Sequence, residues 1–180
     1  MRRIVLLLAV MAVALFVASG MALAATINGT NRADTLVGTS NADSIKGFGG
    51  GDVIRGKGSA DTLRGFTGSD TMTGGRGSDA VYGGRGPDTL RGNLGNDDLY
   101  GGAGNDTIYG GKGGDTTSGD AGSDDLYGGP GHDRIISGIG ADHRVFAGDG
   151  EQDLICVDPN SGGTIETADP EDTFIFNRSC

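Results

Sequence analysis

The chain has few of the residues from which ordinary cores and most active sites are built. It contains no tryptophan, only two histidines and two cysteines, and 6% of its residues are aromatic. The motifs H-E-x-x-H and G-x-S-x-G are also absent, which argues against a zinc protease and a serine hydrolase of the common types. The formal net charge of −10 argues against nucleic acid as a partner, since nucleic acid requires a basic surface.

Glycine and aspartate are what the chain has in excess, and they recur at a strict interval. Glycine accounts for 37 of the 180 residues. When residues 29–145 are written in windows of nine, the sixth position is Asp in all thirteen windows. The first position is Gly except at Ser137, and the eighth is apolar except at Thr117 and Arg144. A period this strict predicts a repeat architecture.

Four of these windows match the nonapeptide G-G-x-G-x-D-x-U-x, in which U is apolar. They read GGRGSDAVY (74–82), GGRGPDTLR (83–91), GGAGNDTIY (101–109) and GGPGHDRII (128–136). On these residues the chain resembles the RTX, or haemolysin-type, calcium-binding repeat family. The windows cover about two thirds of the chain, and their number makes the resemblance specific.

The resemblance implies an all-β fold, a parallel β-roll (RTX-type solenoid) of about 13 nonapeptide repeats with a short C-terminal cap. Two windows form each coil of such a roll, so that Asp residues eighteen positions apart stack in two rows. The first Asp row contains Asp34, Asp52, Asp70, Asp88, Asp106, Asp124 and Asp142. The second Asp row contains Asp43, Asp61, Asp79, Asp97, Asp115 and Asp133. All thirteen are predicted metal ligands, with up to about eleven Ca²⁺ ions in the six and five gaps between stacked turns.

The chemistry of the window suits this cation. Ca²⁺ takes six to eight oxygen ligands from carboxylates and main-chain carbonyls. Glycine allows the chain to turn tightly and direct its carbonyl groups inward, while the sixth position supplies the carboxylate. The alternative is that Asp serves only as a turn residue, as Asn and Ser also do. A turn does not require Asp in thirteen of thirteen windows, so calcium binding is the favoured interpretation.

The first two windows depart from the repeat pattern. The windows at 29–37 and 38–46 lack Gly at the second and fourth positions, as terminal capping repeats often do, so we expect weak or absent ion binding at Asp34 and Asp43. All four tyrosines fall at the ninth position, where Tyr82 is predicted to lie beside Tyr100, and Tyr109 beside Tyr127. These outward residues either form a glycan-binding ladder or reflect β-propensity alone.

The ends of the chain differ from the repeat. Residues 1–24 have the features of a signal peptide: Arg2 and Arg3, an apolar run, and an A-x-A sequence at 22–24. The apolar run is short for a membrane span, and no second run follows it. The predicted division is therefore a signal peptide (1–24), a calcium-binding β-roll (25–145) and a C-terminal capping segment (146–180).

The two cysteines, Cys156 and Cys180, bracket the capping segment. In an exported chain an even number of cysteines favours a disulfide, although free or intermolecular thiols are the alternative. A bridge would close a loop of about 25 residues and contribute roughly 3 kcal/mol by the chain-entropy model.

These features favour a secreted, extracellular calcium-binding protein without catalytic activity. The alternatives are a calcium-dependent module that binds cell-surface or matrix glycans through outward Tyr, Arg and Thr side chains, and a hydrolase of unknown type. For a hydrolase, the candidates are Cys156 with His132 or His143, but both histidines lie within repeat windows. Calcium ions are the expected partners; neither nucleic acid nor a membrane span of the mature chain is expected.

We predict that the exported protein begins at Ala25 and contains a Cys156–Cys180 disulfide, since Ala22 and Ala24 fit the signal-peptidase cleavage site. Intact-mass measurement without reduction should give residues 25–180 less two hydrogen atoms. A chain that keeps residues 1–24 in a membrane fraction, or one that is alkylated at both cysteines without reduction, would contradict the prediction.

Overall fold

The computed structural model describes residues 23–140, 144–147, 151–158, 164–165 and 170–176. Every regular element in these ranges is a β-strand, and none of the described residues forms a helix of the length and apolarity that a membrane crossing needs. Most of the predicted signal peptide, together with Asp142, His143 and Cys180, lies outside the described residues.

Seventeen strands form two parallel sheets, with odd-numbered strands in one and even-numbered strands in the other. The nine-stranded sheet contains, in spatial order, β1 (Thr26–Asn28), β3 (Ser44–Gly49), β5 (Thr62–Thr67), β7 (Ala80–Arg85), β9 (Asp98–Ala103), β11 (Thr116–Ala121), β13 (Arg134–Ile136), β15 (Leu154–Val157) and β17 (Thr173–Phe176). The eight-stranded sheet contains β2 (Thr35–Val37), β4 (Val53–Gly58), β6 (Thr71–Arg76), β8 (Thr89–Leu94), β10 (Thr107–Lys112), β12 (Asp125–Tyr127), β14 (Arg144–Phe146) and β16 (Thr164–Ile165).

The register follows the sequence period. Residues eighteen apart are cross-strand partners, as in Leu63 with Val81 and Val81 with Leu99. Each pair of windows therefore makes one coil, with one strand in each sheet. The predicted all-β parallel β-roll is confirmed as a solenoid of about seven turns.

The longer strands begin at the seventh position of one window and end at the third position of the next. Nine of them, β3 to β11, are six residues long, twice the three-residue strands that the windows suggest. Only positions four to six remain for the turn. Gly86 shows why the fourth position is small: its φ is +114°, and a Cβ there would overlap the carbonyl oxygen of Gly68 in the preceding coil.

A single column of side chains forms the core between the sheets. The eighth residue points inward in the windows up to Ile135, and the apolar ones from Ile45 to Ile135 are 0% exposed. In the last window the inward place is taken by Val145, the ninth residue, while Arg144 is exposed. Thr117 occupies this column as the sequence exception, also at 0% exposure. Its hydroxyl group is buried and has no hydrogen-bond partner, which costs free energy that a methyl group would not.

Both sheets extend beyond the limits of the regular windows. At the start, β1 pairs in register with β3 (Thr26 with Ser44), so the stack begins directly after the predicted cleavage site. At the other end, β15 pairs with β13 and β17 with β15. The offset there is no longer eighteen: Arg134 is opposite Leu154, and Leu154 is opposite Thr173. The boundary at residue 145 stays a prediction, since strand stacking continues past it.

We predict that Thr117→Val stabilises the folded protein by about 1–2 kcal/mol, because it replaces an unpartnered buried hydroxyl with a methyl group of similar shape. Chemical denaturation of both forms in calcium measures the difference. Thr116→Val, at the neighbouring outward position, is the control and should change the free energy of unfolding by less than about 0.5 kcal/mol. A destabilised Thr117→Val protein would contradict the assignment of this position to the apolar core.

Candidate metal centre

The two Asp rows are brought together as the sequence predicts, one along each sheet. The main-chain N–H of each Asp from Asp34 to Asp115 donates a hydrogen bond to Oδ1 of the Asp eighteen residues later, at 2.7–2.8 Å. From Asp43 to Asp133 every one of these side chains is at most 4% exposed. Asp142, the last member of the first row, lies outside the described residues. The carboxylates are therefore not surface turn residues.

The second carboxylate oxygen, Oδ2, differs from the first in its hydrogen bonding. In eight consecutive windows Oδ2 is buried and has no hydrogen-bond partner: Asp52, Asp61, Asp70, Asp79, Asp88, Asp97, Asp106 and Asp115. A buried ionised oxygen without a partner costs several kcal/mol. A repeated penalty of this kind indicates that a positively charged group belongs beside each oxygen.

The glycine at the first position of the window leaves room for that group. A Cβ built on Gly83 would lie 2.5 Å from Asp88 Oδ2 and 2.5 Å from the carbonyl oxygen of Gly101, in the next coil. At Gly110 the corresponding distances are 2.6 Å to Asp115 Oδ2 and 2.5 Å to a carbonyl oxygen of the next coil. Calcium–oxygen bonds measure about 2.3–2.6 Å. The Cβ position itself is too close to the glycine Cα to hold an ion, but a carboxylate oxygen of one turn and a carbonyl oxygen of the next are close enough together to bind one ion beside the glycine.

Each turn supplies only one carboxylate. Within the described ranges no group of three or more His, Cys, Asp or Glu side chains could hold a metal ion by itself. The remaining ligands must come from main-chain carbonyl groups, which hard cations such as Ca²⁺ accept readily and Zn²⁺ does not. The donor set therefore fits calcium.

In the first two windows the second carboxylate oxygen has hydrogen-bond partners. The N–H and hydroxyl groups of Thr30 donate to Asp34 Oδ2 at 2.6 and 2.8 Å, and Thr39 does the same for Asp43 at 2.5 and 3.0 Å. The main-chain N–H of Ala25 donates to Asp43 Oδ1 at 2.7 Å. These hydrogen bonds provide the carboxylates with the partners that the later windows lack, which is a physical reason to expect weak ion binding here.

The second Asp row continues beyond the residues that the sequence assigned to it. The N–H of Asp133 donates to Asp153 Oδ1 at 2.8 Å, and the N–H of Asp153 donates to Asp172 Oδ1 at 3.1 Å. The search for a fixed period missed both residues, because one or two extra residues per coil shift them out of register. The signal that could have found them is an Asp followed two positions later by an apolar residue, Ile155 or Phe174.

The outward aromatic neighbours are also as predicted. Tyr82 and Tyr100 stack with ring centroids 5.2 Å apart, and Tyr109 and Tyr127 stack at 4.7 Å. Phe146 extends the second stack at 4.4 Å from Tyr127. The rings are within 13° of parallel, so each ring has at least one face covered by its neighbour.

Burial and crowding change how these carboxyl groups titrate. Removal from water raises the pKa of Asp61, Asp79, Asp97 and Asp106 to about 6, and that of Asp88 and Asp124 to about 7. The N–H of the preceding Asp lowers each pKa, while other nearby carboxylates raise it. Each of these groups therefore binds a proton more readily than an exposed Asp does when no cation is present.

Together these features define a parallel β-solenoid with rows of inward carboxylates between Gly-rich turns. The family model for the RTX calcium-binding nonapeptide repeat matches the chain four times, at residues 28–63, 46–81, 82–117 and 109–143. Since these matches cover well over half of the chain, the protein belongs to this family of calcium-binding repeats. No curated protein matches the sequence.

We predict that acid stabilises the metal-free fold. The pKa values of about 6–7 lie above the value of about 4 for an exposed Asp, so folding takes up protons. This stabilisation is fully present below about pH 4 and is lost as pH rises through 6–7. In EDTA, the far-ultraviolet β signal should be larger at pH 5 than at pH 8, and more calcium should be required for folding at the lower pH. A calcium midpoint independent of pH would contradict this.

Proposed function

We propose that this protein is an exported calcium-binding module whose β-roll folds when Ca²⁺ binds between stacked Gly/Asp turns, and that it has no catalytic activity of its own. The observation that carries the proposal is the series of eight buried Oδ2 atoms without partners, from Asp52 to Asp115. Catalysis is not characteristic of the repeat family, and its members are typically secreted.

Calcium would supply the positive charge that these buried oxygens require. The carboxylate of one turn and the carbonyl oxygen of the next, such as Asp88 and Gly101, would bind the same ion and so join successive coils. Without the ion, neighbouring carboxylates about 4.8 Å apart would repel one another by roughly 3 kcal/mol at an effective dielectric of 20. Calcium reverses the sign of this interaction, so that binding energy becomes folding energy.

The turns are not equivalent in this proposal. Ligation begins at Asp52, the first Asp whose Oδ2 has no partner, while Asp34 and Asp43 act as metal-independent caps. The second Asp row extends to Asp153 and Asp172, which continue the same hydrogen-bond series. The number of ions is therefore set by the intact turns between these ends, and the estimate of about eleven from the gaps between regular turns is the starting value.

Export and the disulfide belong to the same proposal. The stack starts at β1, directly after the predicted cleavage site, and cleavage before Ala25 would place a positively charged amino group 2.7 Å from Asp43 Oδ1. Cys156 lies on β15 and is 6% exposed, while Cys180 lies outside the described residues. A Cys156–Cys180 bridge would attach the end of the chain to the last coils.

The alternatives have less support. A glycan ladder would use open ring faces, but Tyr109 and Tyr127 direct their faces at each other. For the hydrolase, His132 is exposed and its Nδ1 lies 3.0 Å from the carbonyl oxygen of Gln152, which is a surface contact rather than a catalytic pair. His143 lies outside the described residues.

We predict that residues 25–180 lose their β structure in EDTA and regain it cooperatively on calcium titration, because each ion joins two coils. Far-ultraviolet circular dichroism measures the transition. Asp97→Ala should raise the calcium midpoint several-fold, because Asp97 lies in the regular middle and its Oδ2 has no partner.

Asp34→Ala is the matched control. It removes the same group from a turn in which Thr30 already supplies hydrogen bonds, so its midpoint should stay close to that of the parent protein. A full β signal in EDTA at neutral pH that does not change with millimolar calcium would refute the proposal. Equal shifts for the two variants would refute the distinction between cap and ligand turns.

A further inference from the structure

Charge is divided unequally along the chain. Residues 25–112 contain nine Lys or Arg, ten Asp and no Glu, and only Asp98 among these acids lies outside the Asp rows. Residues 113–180 contain three Arg and fourteen acidic residues. Although the chain is acidic overall, the outward charges of residues 25–112 are therefore almost entirely positive.

Five of these positive charges lie on neighbouring strands of the eight-stranded sheet. We call them the cationic face: Arg55 and Lys57 on β4, Arg76 on β6, Arg91 on β8 and Lys112 on β10. Four of them are exposed, and Arg91 is half-buried with its guanidinium group 4.8 Å from the centre of the Tyr109 ring. None of the five forms an ion pair with another described residue.

The charges on this face are regularly arranged. Arg55 and Arg91 occupy the same register two strands apart, both aligned with Thr73 of β6. Arg76 and Lys112 are likewise two strands apart, both aligned with Leu94 of β8. With strands about 4.8 Å apart, each pair is separated by about 10 Å. Two pairs of cations with the same spacing, spread over four strands, fit a polymer with repeating negative charges better than a single small anion.

Calcium binding would change the sign of the net charge of residues 25–112. In residues 25–112 the nine Asp of the rows cancel the nine Lys and Arg when no metal is bound. Divalent ions held between the turns from Asp52 onward neutralise seven of these nine carboxylates and leave most of the outward cations uncompensated. The electrostatic potential of the face, and its attraction for anions, therefore depends on calcium as well as on folding.

We propose that the calcium-loaded protein binds an acidic polysaccharide, a sugar polymer bearing carboxylate or sulfate groups, along the cationic face. This rests on the proposed calcium loading. A membrane is a poorer fit, because Leu94 is the only large exposed hydrophobic residue that the structure describes on β4, β6, β8 and β10. Single-stranded nucleic acid requires open aromatic faces for base stacking, whereas Tyr109 lies between Arg91 and Tyr127. A flexible sugar chain can follow the cationic face without extending over the acidic segment, residues 113–180.

The test measures binding of residues 25–180 to immobilised dextran sulfate in calcium, with neutral dextran, single-stranded DNA and anionic phospholipid vesicles as comparison probes. We expect calcium-dependent binding to dextran sulfate that weakens with salt, and no binding to neutral dextran. The double variant Arg76→Gln/Lys112→Gln should bind dextran sulfate at least about tenfold more weakly. The control Lys46→Gln/Arg85→Gln removes the same charge from the nine-stranded sheet and should change binding less than about twofold.

Circular dichroism of the same samples separates the two proposals. A protein that folds with calcium but does not bind dextran sulfate overturns the polysaccharide proposal and leaves calcium-driven folding intact. Equal losses for the two double variants, or binding to DNA or vesicles as tight as to dextran sulfate, also overturn it. A protein that does not respond to calcium overturns the proposed function itself.

Discussion

The structure depends on Asp carboxylates of which only one oxygen has a hydrogen-bond partner. One oxygen of each Asp from Asp52 to Asp133 accepts the N–H of the Asp in the preceding coil, which sets the spacing of the stack. The other oxygen, in the regular turns, is buried beside a glycine of its own window and a carbonyl group of the next coil, as at Asp88, Gly83 and Gly101. Fold and cation are therefore linked: the hydrogen bond that builds the row also buries the charge that requires an ion.

The composition follows from this constraint. Each window contributes one core side chain, so the tyrosines lie outside in stacked pairs, while Phe174 packs against the core beyond the regular windows. Glycine is needed where successive coils approach most closely, as at Gly86, whose Cβ would overlap a carbonyl group of the preceding coil. A chain with so little apolar volume and so much glycine gains little from burial relative to its conformational entropy. Metal binding is the interaction available to offset that cost.

The turns at the two ends of the stack differ from those in its regular middle. At the start, Thr30 and Thr39 donate to the carboxylate oxygens of Asp34 and Asp43 that correspond to the unpartnered ones in the regular turns. At the other end, extra residues enter each coil, yet Asp153 and Asp172 return to the row. The strand pairing thus tolerates insertions in the turns, provided that Asp and the inward apolar residue keep their separation.

The sequence by itself determined the parallel stack, the two Asp rows, the inward column and the Tyr82–Tyr100 and Tyr109–Tyr127 neighbours. In a solenoid, contacts join equivalent positions of adjacent coils, so a sequence period translates directly into spatial neighbours. Only the tertiary structure decided which oxygen of each carboxylate has a partner, that Thr39 donates hydrogen bonds to Asp43 Oδ2, and that the row reaches Asp153. These features depend on the backbone conformation of individual turns and on the register after an insertion. Neither is encoded in a nine-residue period, because the period fixes which positions stack but not how their polar groups are directed.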